Sequence, residues 1–191
     1  KLDYNFKTQN KISFKQVKNN NWVIYLENND SFHSNIYPVL NKVIKKNRHA
    51  VILYGDEDSK TDYNLRFSPN FKPSWNRELF LSNYDYGKSW IINGYYWNRA
   101  LNFLDKYKYQ INIYNIVFYI SNELQKKNLI SNSIIHIPLI LYHTKANYLQ
   151  NKINKTNNLS DKFLRDSINR NPLLFGNLIS FTSSNNRRFF N

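Results

Sequence analysis

The chain contains no cysteine. Disulfides, thiolate metal sites and a cysteine nucleophile are therefore excluded. Glycine is scarce, with four in 191 residues, too few for a glycine-rich phosphate cradle. None of G-x-x-x-x-G-K-[ST], G-x-G-x-x-G or G-x-S-x-G occurs. The four histidines, His33, His49, His136 and His143, lack H-E-x-x-H spacing. No apolar run approaches the roughly 18 residues of a spanning helix, and the mean hydropathy is −0.66. Lys1–Asn10 has no apolar core of a signal peptide, so the cytoplasm is the expected compartment. Acids are few as well: 13 against 27 Lys and Arg, for a net charge of +14.

That excess of positive charge is spread along the chain. The densest groups are Lys42, Lys45, Lys46 and Arg48, then Lys106 and Lys108, then Lys126 and Lys127. Each lies beside a helix-like apolar pattern and reads as a solvated face. No nucleic-acid module is recognisable, so nucleic acid is not the expected partner. A general attraction to phosphates survives, whether of a nucleotide diphosphate or of an anionic lipid carrier or membrane. The abundance of Asn, Lys, Ile and Tyr fits a codon bias toward A and T. Phe and Tyr mark core and strands. The length suits one domain with room for part of another, and it allows about two thirds of the unfolded surface to be buried.

Trp22–Leu26 predicts a buried strand that ends in the polar cluster Glu27-Asn28-Asn29-Asp30. Ser34 is placed to cap a helix over Asn35–Asn47, with Ile36, Leu40, Val43 and Ile44 on one face. His49–Tyr54 predicts a second buried strand, which likewise ends in acids, Gly55-Asp56-Glu57-Asp58. Strand, acids and helix are thus followed by strand and acids within 40 residues, and α/β folds place ligands at such strand ends. Lys60–Pro73 has loop chemistry, Trp75–Asn83 suits a short helix and Ser89–Asn93 a strand. Gly94–Lys106 and Asn112–Lys127 predict helices, and Ile134–Tyr142 a strand reaching His143. Gln150–Asn158 reads as a linker, and Asp161–Asn169 as an amphipathic helix capped by Ser160. Leu178–Phe181 suits a last strand before a Ser/Asn turn and a basic, aromatic tail. The alternation argues an α/β domain over residues 1–149 with a mixed sheet flanked by helices, then a linker, short helix and strand over 150–191.

The two acidic clusters have the chemistry to hold a hard divalent cation, Mg²⁺ or Mn²⁺, through oxygen ligands. Such an ion would neutralise a leaving diphosphate. His143 offers a nitrogen ligand. Each feature also has a plainer reading: a polar helix start for Glu27–Asp30, a solvated turn for Asp56–Asp58, a satisfied structural histidine for His143.

Taken together these residues resemble family 2 glycosyltransferases of the bacterial branch that makes O-antigen and capsule polysaccharides. Leu26–Phe32 (LENNDSF) and Tyr54–Asp58 (YGDED) are similar to that branch's LDxDD-x-L and YSDED blocks. Phe71–Tyr84 (FKPSWNRELFLSNY) is similar to FKPDWSPDLLLSxNY, and Ile135–His143 (IHIPLILYH) to xHIPxxLYHWR. Order and spacing agree over about Asn20–Lys145. The resemblance implies a GT-A (Rossmann-like) fold, a nucleotide-sugar donor, a saccharide or lipid-linked acceptor and Mg²⁺ or Mn²⁺. It implies metal ligation by Asp30 and His143, donor binding by Glu27, Asn29, Lys72 and Trp75, and catalysis from Asp56, Glu57 and Asp58.

Several departures bear on activity. The acidic motif has become Glu-Asn-Asn-Asp, with less negative charge. Ile113 and Asn115 stand where the family's QDYDLxLR helix start carries its general base and second Asp, and neither takes a proton. The GGFR turn is absent. About 20 residues precede Trp22, where a complete domain has two or three nucleobase-binding strands, so those strands are expected to be missing. Asn177–Asn186 faintly resembles the opening strand of a further domain. Two readings follow: a metal-assisted glycosyltransferase, or a degenerate domain that keeps the fold and acts as a binding or structural module.

Overall fold

A computed structural model describes residues 4–9, 14–27, 29–82, 85–145, 161–170, 181–184 and 187–190. The expected linker Gln150–Asn158, the Ser160 cap, Asn28 and the end of the Phe71–Tyr84 block lie outside the described residues.

The elements in chain order are β1 (Asn5–Gln9), β2 (Asn21–Tyr25), β3 (Ser31–Phe32), α1 (Ile36–Lys46), β4 (Ile52–Lys60), β5 (Arg66–Asn70) and α2 (Arg77–Leu81). Then come β6 (Trp90–Asn93), α3 (Gly94–Lys106), α4 (Ile113–Lys126), α5 (Ile130–Ser133), β7 (Ile134–Lys145), α6 (Asp161–Arg170), β8 (Phe181–Ser184) and β9 (Arg187–Phe190). Seven strands form one mixed sheet in the order β1-β2-β6-β4-β7-β3, with β5 paired to β4. β1 runs parallel to β2 and β4 to β7, while β6 is antiparallel to both its neighbours. The protein is thus a mixed α/β fold with helices on the sheet's faces, as the alternation predicts.

Strand alternation sorts the core into two layers. Val23, Tyr25, Ile52, Tyr54, Trp90 and Ile92 face one way and pack under α3, α4 and α6. Trp22, Ile24, Leu53 and Ile91 face the other way and pack against Ile36, Leu40 and Ile44 of α1. α6 belongs to the first layer through Phe163 and Leu164. Asparagine side chains cap three helices: Asn76, Asn93 and Asn112 accept from the amides of Leu79, Tyr95 and Asn115. The N-cap position of α1 is held by Asn35 rather than Ser34, and no side chain caps it.

The structure corrects the sequence reading at the point that matters most. The second strand does not end at Tyr54 with the acids at its tip or in a solvated turn: β4 continues through Asp56–Asp58 to Lys60. Two partners hold that extension, β7 on one side and β5 on the other. β5 occupies a stretch expected to be loop. β7 bulges beside the acids, since Gly55 pairs with Ile137 but Asp56 pairs with Ile140. Pro138 lies in the skipped segment and has no N–H to give the ladder. Gly55 fits this bulge because a Cβ there would lie 2.8 Å from Leu141. Ahead of β2, where no strand is expected, the structure places β1. Of the expected strand Leu178–Phe181 only Phe181 lies within the described residues; it opens β8, and the basic, aromatic tail forms its hairpin partner β9.

Candidate functional site

Five carboxylates gather where β2 ends and β4 passes between β7 and β5. β2 delivers Glu27 and, after the left-handed residue Asn29 (φ 69°), Asp30. β3 then pairs with the end of β7, setting Ser31 opposite His143. β4 sets Asp58 opposite the same His143 from the other side. The two acidic segments therefore meet across β7.

Lys88 joins them. Its Nζ lies 2.6 Å from Glu27 Oε2 and 3.3 Å from Asp30 Oδ2. Its backbone N–H donates to Glu57 Oε2 at 2.9 Å. Asp30 also accepts from the Tyr142 hydroxyl at 2.8 Å and from the Lys145 amide at 2.9 Å, and its side chain is 5% exposed. The Tyr25 hydroxyl donates to Glu27 Oε1 at 3.1 Å. Burial, reinforced by these carboxylates, holds the Tyr25 and Tyr142 hydroxyls well above the ordinary phenol range, so they remain donors. Burial alone would lower the Lys88 ammonium, but Glu27 and Asp30 outweigh it and raise it.

Lys72 links the remaining acids. Its amide donates to Asp56 Oδ1 at 2.9 Å, and its Nζ reaches Glu57 Oε2 at 3.1 Å and the Gly55 carbonyl at 2.8 Å. Burial pushes this ammonium down against the pull of Glu57. Asp56 is further engaged by His136 Nε2 at 2.8 Å. Asp58 holds His143 Nδ1 at 2.5 Å and Arg66 Nε at 2.6 Å. Five carboxylates are thus interleaved with Lys72, Lys88, Arg66 and two histidines. Among the acids of β4, Glu57 is the more open, with a side chain 12% exposed against 4% and 2% for Asp56 and Asp58.

The expected site residues separate accordingly. Glu27, Asp30, Asp56, Glu57, Asp58, Lys72 and His143 belong to this network. Asn29 is exposed beside it. Trp75 is partly buried and packs instead against the core, beside Tyr54, Phe80, Tyr86 and Trp90. Ile113 and Asn115 are buried at the start of α4, where the Asn115 side chain donates to the Gln110 carbonyl at 2.7 Å. The sequence reading missed Lys88, Arg66, Tyr142, Lys145 and His136. Only Lys88 carries a local signal, Gly87 before it in a turn. A cleft of about 1090 Å³ touches His136 and Trp75 but none of the five carboxylates, and its rim carries Lys46, Arg48 and Arg77. The cleft and the carboxylate network therefore adjoin at His136, which bonds Asp56 and lines the cleft. The lysines of the three basic clusters and Arg48 are exposed, as solvated faces.

The residues here do not fit a divalent metal. Lys88 fills the gap between Glu27 Oε2 and Asp30 Oδ2, Tyr142 donates to that same Asp30 oxygen, and the other two oxygens accept from Tyr25 and the Lys145 amide. His143 is turned to Asp58. Among the described residues no three of His, Asp and Glu form a metal-binding group, and no helix is long and apolar enough to cross a membrane. No family model matches the chain, and a search of curated proteins finds no match.

Proposed function

We propose that the chain is a glycosyltransferase-type domain of GT-A character, moving a sugar from a nucleotide-sugar donor to a saccharide or lipid-linked acceptor in surface polysaccharide synthesis. The observation that carries this reading is the meeting of Glu27–Asp30 with Asp56–Asp58, segments nearly 30 residues apart, in one network through Lys72 and Lys88. The order of the blocks that resemble family 2 glycosyltransferases supports it. The reading requires the cytoplasm, at the face of an anionic membrane where the acceptor is lipid-linked.

The chemistry falls to the accessible groups. Glu57, the least buried acid of β4, takes the proton of the acceptor hydroxyl. The acceptor oxygen bonds to the sugar's anomeric carbon, the bond from that carbon to the diphosphate breaks, and the diphosphate leaves with the electron pair. The exposed edge of Lys88 stabilises the departing negative charge. Asp56 and Asp58 hold His136 and His143 in position and do not touch substrate.

A thermal-shift panel of UDP- and dTDP-sugars tests the reading. Binding to the folded state raises the melting temperature, by about 2.7 kcal/mol of stabilisation at a hundredfold excess over Kd. Asp30→Ala removes the shift, because it unseats Lys88. Glu57→Gln retains the shift but loses transfer. A second reading, a degenerate domain acting as a binding or structural module, is favoured by the burial of Ile113 and Asn115 at the expected base positions. A panel in which no donor moves the melting temperature selects that reading.

A further inference from the structure

We propose that the ammonium of Lys88 is the resident cation of the Glu27–Asp30 pair, doing without a divalent ion what Mg²⁺ or Mn²⁺ would do there. The identity of its ligand, a donor diphosphate, rests on the nucleotide-sugar reading above; the identity of the cation does not.

Lys88 is aimed by its backbone, not swung in from the surface. Gly87 adopts φ 70°, a left-handed turn. The Gly87 carbonyl accepts from Trp90 Nε1 at 2.8 Å and from the Tyr114 hydroxyl at 3.3 Å. The next amide, that of Lys88, is fixed on Glu57, and the Lys88 carbonyl accepts from the Trp90 amide at 2.8 Å. With both flanking peptide groups pinned, the side chain leaves toward Glu27 and Asp30 and bridges them.

A divalent cation needs several oxygens at about 2.0–2.6 Å. In this gap it would meet a positive charge already in contact with both carboxylates, and like-charge repulsion at such separations is strong away from bulk water. An ammonium carries three N–H donors. Two go to Glu27 and Asp30, and among the described residues no acceptor takes the third. The side chain is 29% exposed, and we assign that third donor to a phosphate oxygen. The pair's charge falls from −2 to −1, a smaller barrier to an incoming anion than two bare carboxylates would present.

Manganese alone is the probe, titrated into the full chain with the free ion followed by electron paramagnetic resonance. The wild type is expected to show no Mn²⁺ site that depends on Asp30. Lys88→Met keeps the side chain's length and removes its charge, leaving two carboxylates facing each other. It is expected to gain Mn²⁺ affinity by roughly tenfold or more, and Lys88→Met with Asp30→Asn to lose it again. Lys88→Arg keeps the charge and is expected to gain nothing. Mn²⁺ binding by the wild type that Asp30→Asn abolishes overturns the proposal, whether or not the methionine variant folds. A folded Lys88→Met that gains no affinity overturns it as well. If donors shift the melting temperature only when Mn²⁺ is present, Lys88 is not the cation. If no donor binds under any condition, the sugar-transfer reading fails, and the Mn²⁺ titrations still decide the role of Lys88.

Discussion

Glu57 stands where it does partly because residue 87 has no side chain. A Cβ at Gly87 would fall on the Glu57 carboxylate, and the φ of 70° is one that other L-residues resist. Gly87→Ala is therefore expected to cost about 1–2 kcal/mol from the backbone alone, with a further cost as Glu57 is pushed off the Lys88 amide. Urea unfolding measures the first effect. An unchanged midpoint would mean that the turn adopts another conformation in solution. At this scale the acids were legible: Glu27, Asp30 and Asp56–Asp58 stand out as charged punctuation after apolar runs. Their partners were not. Lys88, Arg66 and Lys145 look like any of the chain's 27 Lys and Arg, and only the meeting of β2, β4 and β7 selects them. His143 illustrates the limit, because a ring at a strand end is equally suited to a metal or to a buried carboxylate. Here Asp58, with a side chain 2% exposed, lies on the opposite strand and takes it.

Elements were read well where pattern and burial agree. α3 and α4 sit within a residue of their expected bounds because their apolar faces repeat at helical spacing and asparagines stand at their starts. The extension of β4 was misread because Gly-Asp-Glu-Asp has the chemistry of a turn and poor strand propensity. Pairing on both sides, with a cation or a hydrogen-bond donor for each acid, overrides that local preference. β5 was invisible for a related reason: Arg66–Asn70 has no apolar face turned to the core, contains Pro69, and is held by β4 alone. α6 makes the opposite case. It follows a stretch read as a linker, yet Phe163 is 2% exposed and its ring sits 4.6 Å from that of Tyr109 and 5.1 Å from that of Phe118. Tyr109 also donates to Asp166 at 2.8 Å. Phe163→Ala is expected to lower global stability by about 3–5 kcal/mol, with α6 and the sheet still unfolding in one transition. Loss of helix signal from α6 alone, with the main transition unmoved, would show that α6 only rests on the body.

For the whole molecule, the sum of many buried phenols sets a response to alkali that no single residue announces. Burial raises Tyr54 and Tyr114 well above the ordinary 10.0, reinforced by neighbouring carboxylates, and raises Tyr109 to about 12. In the unfolded chain these groups lose their protons near 10, while in the folded chain they keep them. Between those values the native state binds more protons than the unfolded one, so stability falls as pH rises. The contribution is complete below pH 10 and is lost progressively above it, for Tyr109 across the interval up to about 12. Lys72 acts in the other sense. Its folded value is lowered by burial from 10.5, so its cost is relieved as pH rises toward that figure. That effect is confined to pH below 10.5, so above it the tyrosines alone set the slope among these groups, and it is negative. Alkaline titration should then show phenolate absorbance from the buried tyrosines appearing together with loss of circular dichroism, in a single cooperative step above pH 10. Phenolate from every tyrosine near pH 10, with the dichroism still native, would mean that the aromatic layer between the sheet and α3, α4 and α6 is open to water, and the positions of Gly87, Lys88 and Glu57 that depend on that layer would fall with it.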